Sequence, residues 1–170
     1  MSDDSSSSSS SSGSGTEIDD YDDHRQREYN HKHSKKKKYF FITSRMNGLV
    51  LDVKNNGCDP GARLIMWERK SDEQVDNQMW WAHRPTRTIR SKLNGFCLDI
   101  CDDRIVLNPY EKGRCEQIWL VRGEKIKNRN TSNCLDIVGA NQDSGAEICS
   151  WEHNGQENQQ WEFKRRNKDF

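Results

Sequence analysis

The tripeptide Gln-x-Trp occurs three times in this chain, as Gln78-Met79-Trp80, Gln117-Ile118-Trp119 and Gln159-Gln160-Trp161. Eight Gln and six Trp are present among 170 residues. At that content about 0.3 such tripeptides would arise by chance, and the copies found lie roughly forty residues apart. Self-similarity at a fixed period marks a repeat architecture, in which one unit cannot bury its own apolar face.

The rest of the chain keeps the same phase. "ITSRMNGLVLDV" (Ile42 to Val53), "IRSKLNGFCLDI" (Ile89 to Ile100) and "IKNRNTSNCLDI" (Ile126 to Ile137) align on a shared Leu-Asp. In each, the opening Ile lies ten residues before the Asp. Apolar residues alternate around Leu-Asp, as half-buried strands require. Asn47-Gly48 and Asn94-Gly95 mark tight turns into those strands. A second short apolar stretch follows in each unit: Arg63 to Trp67, Arg104 to Asn108, and Glu147 to Trp151. Gln-x-Trp closes the unit. No segment sustains a helical period, so the chain reads as an all-β repeat.

Three such units of about four strands can close around a pseudo-threefold axis, which removes exposed sheet edges. The expected fold is a β-trefoil spanning residues 39–167, with repeats at about 39–87, 88–124 and 125–167. Trp80, Trp119 and Trp161 should meet as one core layer, each needing a partner for its N–H. Gln78, Gln117 and Gln159 lie on the same strand face two residues earlier. Their amides are suited to backbone groups at the turn each one closes. These six residues form the structural Gln-x-Trp set.

Residues 1–38 have a different composition. Their only sizeable apolar residues are Met1, Ile18, Tyr21 and Tyr29. So little apolar surface cannot offset the entropy of ordering, and the segment reads as a disordered tail. Seven acids lie within Met1 to Asp23, around a run of serines from Ser5 to Ser12. Seven bases then lie within His24 to Lys38. The basic stretch Lys35 to Lys38 suits an acidic partner or simple solvation. The remaining residues carry 20 bases and 19 acids, so no basic field points to specific nucleic acid binding.

No stretch is apolar enough to span a bilayer, and no secretory signal is legible. The expectation is a cytoplasmic or nuclear protein with reduced thiols, leaving unconventional secretion open. Cys97 and Cys101 form a lone C-x3-C without a second pair, and His31 and His33 lie in the tail. No metal and no cofactor are therefore expected.

Leu-Asp-Val/Ile, an aromatic ending a short apolar strand, and then Asn-Gln-x-Trp together resemble the ricin B-type lectins. The resemblance runs from about Tyr39 to Arg166. It implies a β-trefoil that binds glycans, typically of the galactose or N-acetylgalactosamine type, and that is not an enzyme. Carried over by motif, one carbohydrate-binding site is Asp52, Trp67, Asn77 and Gln78. Another is Asp136, Trp151, Asn158 and Gln159. The aromatic would stack on the apolar face of a pyranose, the carboxylate would accept its hydroxyls, and Asn would work at the rim. Gln would steady the carboxylate.

The second repeat departs from this pattern. It keeps Asp99 and Gln117, but Asn108 stands at the aromatic position and Glu116 replaces the Asn. Tyr110 is the nearest aromatic available to substitute. The disulfide expected from the family is not reproduced: Cys97 and Cys134 face Tyr110 and His153 at the partner positions. No nucleophile–base motif, H-E-x-x-H or phosphate-binding loop is present, which agrees with a non-catalytic chain. The alternative is a protein-interaction trefoil that has lost sugar binding.

Overall fold

The computed structural model describes residues 37–71 and 74–165. The expected tail therefore lies outside the described residues, apart from Lys37 and Lys38. Among the described residues there are twelve strands and no α-helix. The first repeat contributes β1 (Phe41–Ser44), β2 (Val50–Val53), β3 (Ala62–Trp67) and β4 (Trp80–His83). The second contributes β5 (Thr88–Ser91), β6 (Cys97–Cys101), β7 (Arg104–Asn108) and β8 (Trp119–Arg122). The third contributes β9 (Lys125–Asn128), β10 (Cys134–Ile137), β11 (Ile148–Trp151) and β12 (Trp161–Lys164).

The strands close on themselves. β1 pairs antiparallel with β12, β4 with β5, and β8 with β9. The hairpins β2–β3, β6–β7 and β10–β11 form a second layer. They meet one another through β3–β7, β7–β11 and the bridge Ile65↔Glu147. This is the threefold β-trefoil, with no long unpaired edge at the joints between repeats.

Hairpin register makes the repeats equivalent residue by residue. Leu51, Leu98 and Leu135 pair with Met66, Leu107 and Ser150. Asp52, Asp99 and Asp136 pair with Ile65, Val106 and Cys149. Val50, Cys97 and Cys134 pair with Trp67, Asn108 and Trp151, so Asn108 does stand at the aromatic position. The opening isoleucines, the three leucines and the three Gln-x-Trp tryptophans are buried in one core cluster.

Each buried Trp finds the partner that its N–H needs. Trp80, Trp119 and Trp161 donate from Nε1 to the carbonyls of Leu51, Leu98 and Leu135 at 3.1, 2.9 and 3.0 Å. The Leu of Leu-Asp is thus tied to the Trp of Gln-x-Trp within its own repeat. Trp81, for which the repeat pattern provides no counterpart, is the second residue of β4 and only partly buried. Lys37 Nζ sits 4.2 Å from its ring centroid, and Arg90 approaches at 5.5 Å.

Candidate functional site

The three Gln side chains act as loop clasps. Gln78 Nε2 donates to the Glu68 carbonyl, Gln117 Nε2 to the Pro109 carbonyl, and Gln159 Nε2 to the Glu152 carbonyl. Each Oε1 accepts a backbone N–H two residues further on, from Lys70, Glu111 and Asn154. A short 3-10 turn delivers each Gln to its position: Asp76–Gln78, Cys115–Gln117 and Glu157–Gln159. The same Nε2 groups also reach the Asp of their repeat. Gln78 lies 2.9 Å from Asp52 Oδ2, Gln117 3.2 Å from Asp99 Oδ2, and Gln159 2.7 Å from Asp136 Oδ2.

In the first and third repeats, Asn joins this arrangement. Asn77 Nδ2 donates to Asp52 Oδ1 at 2.9 Å and to the Val53 carbonyl. Asn158 Nδ2 donates to Asp136 Oδ2 at 3.0 Å and to the Ile137 carbonyl. Both Asn side chains are buried. Their NH2 groups therefore orient the carboxylate from within the protein rather than working at the rim, since both hydrogens are already engaged. Charge-assisted bonds of this kind are short and directional.

The carboxylates are buried, yet each opens on a cleft. Asp52, Asn55, Asn56, Ile65, Trp67, Lys70 and Asn77 line a cleft of about 220 Å³. A cleft of about 610 Å³ holds Asp136, Trp151, Asn154 and Asn158, and also Asp102, Asp103 and Arg104 from the second repeat. Trp67 is 42% exposed and Trp151 58% exposed, in contrast to the buried Gln-x-Trp tryptophans. An exposed indole beside an oriented carboxylate is a built feature, because Trp seldom faces water without a partner. The eight predicted site residues are thus gathered into two groups of four. Trp, Asp and Asn line each cleft, and Gln lies behind the Asp.

Burial pushes the Asp52 carboxyl above its ordinary value, opposed by the Gln78 hydrogen bond, the nearby Lys70 charge and the Asn77 hydrogen bond. Asp136 is raised for the same reason, opposed by bonds from Gln159, Cys149 and Asn158. The Cys149 thiol, 3.7 Å from Asp136 Oδ1, is pushed up to about 12, chiefly by burial and then by the Asp136 charge.

The second repeat contains an arginine that the sequence comparison passed over. Arg114 Nε donates to Asp99 Oδ1 and Oδ2 at 2.9 and 2.8 Å, and its Nη2 reaches the Ile100 carbonyl. Asn108 Nδ2 adds a bond to Asp99 Oδ2 at 2.9 Å. Asp99 is fully buried under these groups. Tyr110 is packed against Arg90 instead, with the guanidinium carbon 4.9 Å from its ring centroid, so it does not restore a platform over an open carboxylate. No motif spacing flagged Arg114. The signal available was a cation three residues before Gln117, where the other repeats carry Val75 and Gln156.

Two further features were missed. Lys70 enters the first cleft, with Nζ 3.1 Å from Asn77 Oδ1. Asp102 and Asp103 form the β6–β7 turn, with φ of 50° and 63°. They also extend the third-repeat cleft across a repeat boundary. Among the described residues, no group of three or more His, Cys, Asp or Glu is placed to hold a metal ion. Among the described residues, no helix is long and apolar enough to cross a membrane.

Comparison with solved structures extends the fold and the family together. The C-half of an earthworm R-type lectin, in complex with GalNAc, is 32% identical with a TM-score of 0.71. That match covers 76% of this chain and 99% of the lectin half. A mutant of the earthworm lectin C-terminal domain, in complex with 6'-sialyllactose, is 31% identical with a TM-score of 0.69, over 76% of this chain and 99% of that one. The designed threefold-symmetric protein ThreeFoil is 25% identical with a TM-score of 0.67, over 75% and 99%. Residues 8–161 match the model of the ricin-type beta-trefoil lectin domain, and the chain belongs to that family.

Proposed function

We propose that this chain is a non-catalytic carbohydrate-binding module with two saccharide clefts, in the first and third repeats, for galactose- or N-acetylgalactosamine-type glycans. One observation carries the reading. The same four residue types, Asp, exposed Trp, Asn and Gln, are assembled twice around a cleft, and in the copy lacking Trp the Asp is covered by Arg114. A structural requirement of the fold would not spare the indole in one repeat out of three. The earthworm lectin half that this chain resembles was solved with GalNAc, a ligand of the proposed class.

In this reading, Trp67 and Trp151 stack on the C–H face of a pyranose, where an aromatic surface replaces water at little entropic cost. Asp52 and Asp136 accept hydroxyl hydrogens through lone pairs not taken by the amides. Asn and Gln hold each carboxylate before the ligand arrives, which lowers the cost of binding. In the first cleft Asp52 is the single lining carboxylate among the described residues. Each site alone is shallow, and useful avidity requires both to engage one multivalent glycan.

A glycan array on the folded protein is the first test, followed by retention on an immobilised-galactose column. Trp67→Ala with Trp151→Ala should abolish retention while thermal unfolding stays close to that of the parent. Retention by the double variant would remove the site assignment. A blank array together with capture of a defined protein ligand would favour the interaction-trefoil alternative.

A further inference from the structure

We propose that the two clefts differ in the charge of the saccharide they take, with the first selecting galactose-type glycans bearing a sulfate or carboxylate through Lys70. The inference rests on the saccharide-binding reading above. Lys70, Glu111 and Asn154 are equivalent positions, because each backbone N–H donates to the Oε1 of the Gln in its repeat. The three repeats therefore place a cation, an anion and a neutral amide at one and the same point of the fold.

In the first cleft the Lys70 ammonium donates to Asn77 Oδ1 at 3.1 Å, and Asn77 in turn donates to Asp52. The cation is thus fixed beside the carboxylate that would hold the sugar hydroxyls. An ammonium has three N–H donors, so this contact leaves two for a ligand oxygen. Lys70 and Asp52 are the charged residues lining this cleft among those described. Asp52 is buried and Lys70 only half-buried, so an incoming substituent meets the cation first. A charge-assisted bond to sulfate or carboxylate is the strongest contact such a rim can make.

The third cleft is built with the opposite sign. Asn154 stands where Lys70 stands, its Nδ2 facing Asn158 Oδ1 at 3.4 Å. Asp102, Asp103, Asp136 and Glu147 line this cleft, against Arg104. Glu147 is already paired with Arg63. Carboxylates concentrated in a concave wall repel an anionic glycan and leave a neutral one unaffected.

The test uses single-site proteins. Trp151→Ala leaves the first cleft, and Trp67→Ala leaves the third. Each is titrated by NMR with lactose, 6'-sulfated lactose and 6'-sialyllactose. Trp151→Ala should bind at least one anionic sugar about fivefold more tightly than lactose. A gain for the sulfated sugar alone would assign sulfate, and a gain for the sialylated sugar alone would assign carboxylate. Adding Lys70→Gln, or raising salt to high ionic strength, should collapse that ratio toward one. Trp67→Ala should bind lactose at least as well as either anion. Equal affinities in Trp151→Ala, or a ratio that survives Lys70→Gln, would overturn the assignment of Lys70. Failure of the parent to bind any of the three sugars would instead count against the saccharide reading itself.

Discussion

Arg114 Nε lies 2.9 and 2.8 Å from the two carboxylate oxygens of Asp99, in the one repeat that lacks an exposed indole. The guanidinium covers the group that faces a cleft in the other two repeats. Asp99 is fully buried, whereas the Arg114 side chain keeps 30% exposure. Removing the cation would leave a buried carboxylate with only Asn108 and Gln117 as donors. Arg114→Ala should therefore lower stability by about 2 kcal/mol, below the cost for a wholly buried pair because water can enter. Urea unfolding measures this, and glycan binding by the first and third clefts should be unchanged.

The two kinds of Trp should separate experimentally. Trp119 is buried, donates to the Leu98 carbonyl and lines neither cleft. Trp119→Ala should cost about 3–5 kcal/mol through lost burial, a cavity and an unpaired carbonyl. Trp151→Ala should change stability by only about 0.5 kcal/mol, since the ring is more than half exposed. Binding at the third cleft should be lost with it, leaving only the first. A thermal melt and a sugar titration on both variants would show the dissociation, and equal melting losses would contradict it.

Acid should act on folding and on binding with opposite signs. Burial raises Asp52 and Asp136 above 3.8 in the folded chain, so the folded state takes up protons at higher pH than the unfolded state. Their contribution to stability is complete below 3.8 and is lost as pH rises through the raised folded values. Saccharide binding needs the ionised acceptor. Lactose affinity should therefore fall on acidification with a midpoint above 3.8, measured in a range where circular dichroism shows the fold intact.

The cysteines should react in a fixed order. Cys58, Cys101 and Cys115 are exposed, whereas Cys97 and Cys134 are buried with thiols raised chiefly by desolvation. Cys149 is raised to about 12 beside Asp136. Because the thiolate is the reactive form, iodoacetamide at neutral pH should label the exposed three first. Mass spectrometry of tryptic peptides reads the order. Early labelling of Cys149 would mean that its Asp136 contact is not formed in solution.

One turn carries strain that its counterparts avoid. Gly48 and Gly95 adopt φ of 77° and 79° at the turn into β2 and β6, and Ser132 takes φ of 63° at the same place before β10. A side chain in this region costs more than glycine does, even after glycine's greater freedom when unfolded. Ser132→Gly should stabilise the domain by about 0.5 kcal/mol, and Gly48→Ala should destabilise it by about 1 kcal/mol. Chemical denaturation of the two variants tests both signs.

Much of the architecture was legible in the sequence because it is periodic. The shared Leu-Asp and Gln-x-Trp fix the phase of each repeat, and alternation around Leu51, Leu98 and Leu135 sets which face is buried. A one-residue slip would turn every side chain to the wrong face, so the pattern tolerates no other register. The Asp, Trp and Asn of each cleft were legible for the same reason, as were the six Gln-x-Trp residues. What a repeat pattern does not carry is contact between residues that differ from copy to copy. Arg114, Lys70 and the Asp102-Asp103 turn appear in one repeat each, so no periodic signal marks them. Only closure of the trefoil brings Asp102 and Asp103 beside Asp136, and only the folded loop after Asn108 lays Arg114 over Asp99. Sequence by itself determined the scaffold, because strand alternation and hydrophobic burial are local and repeated. Tertiary structure decided which charges stand beside each carboxylate, because that depends on side chains reaching across loops and repeat boundaries.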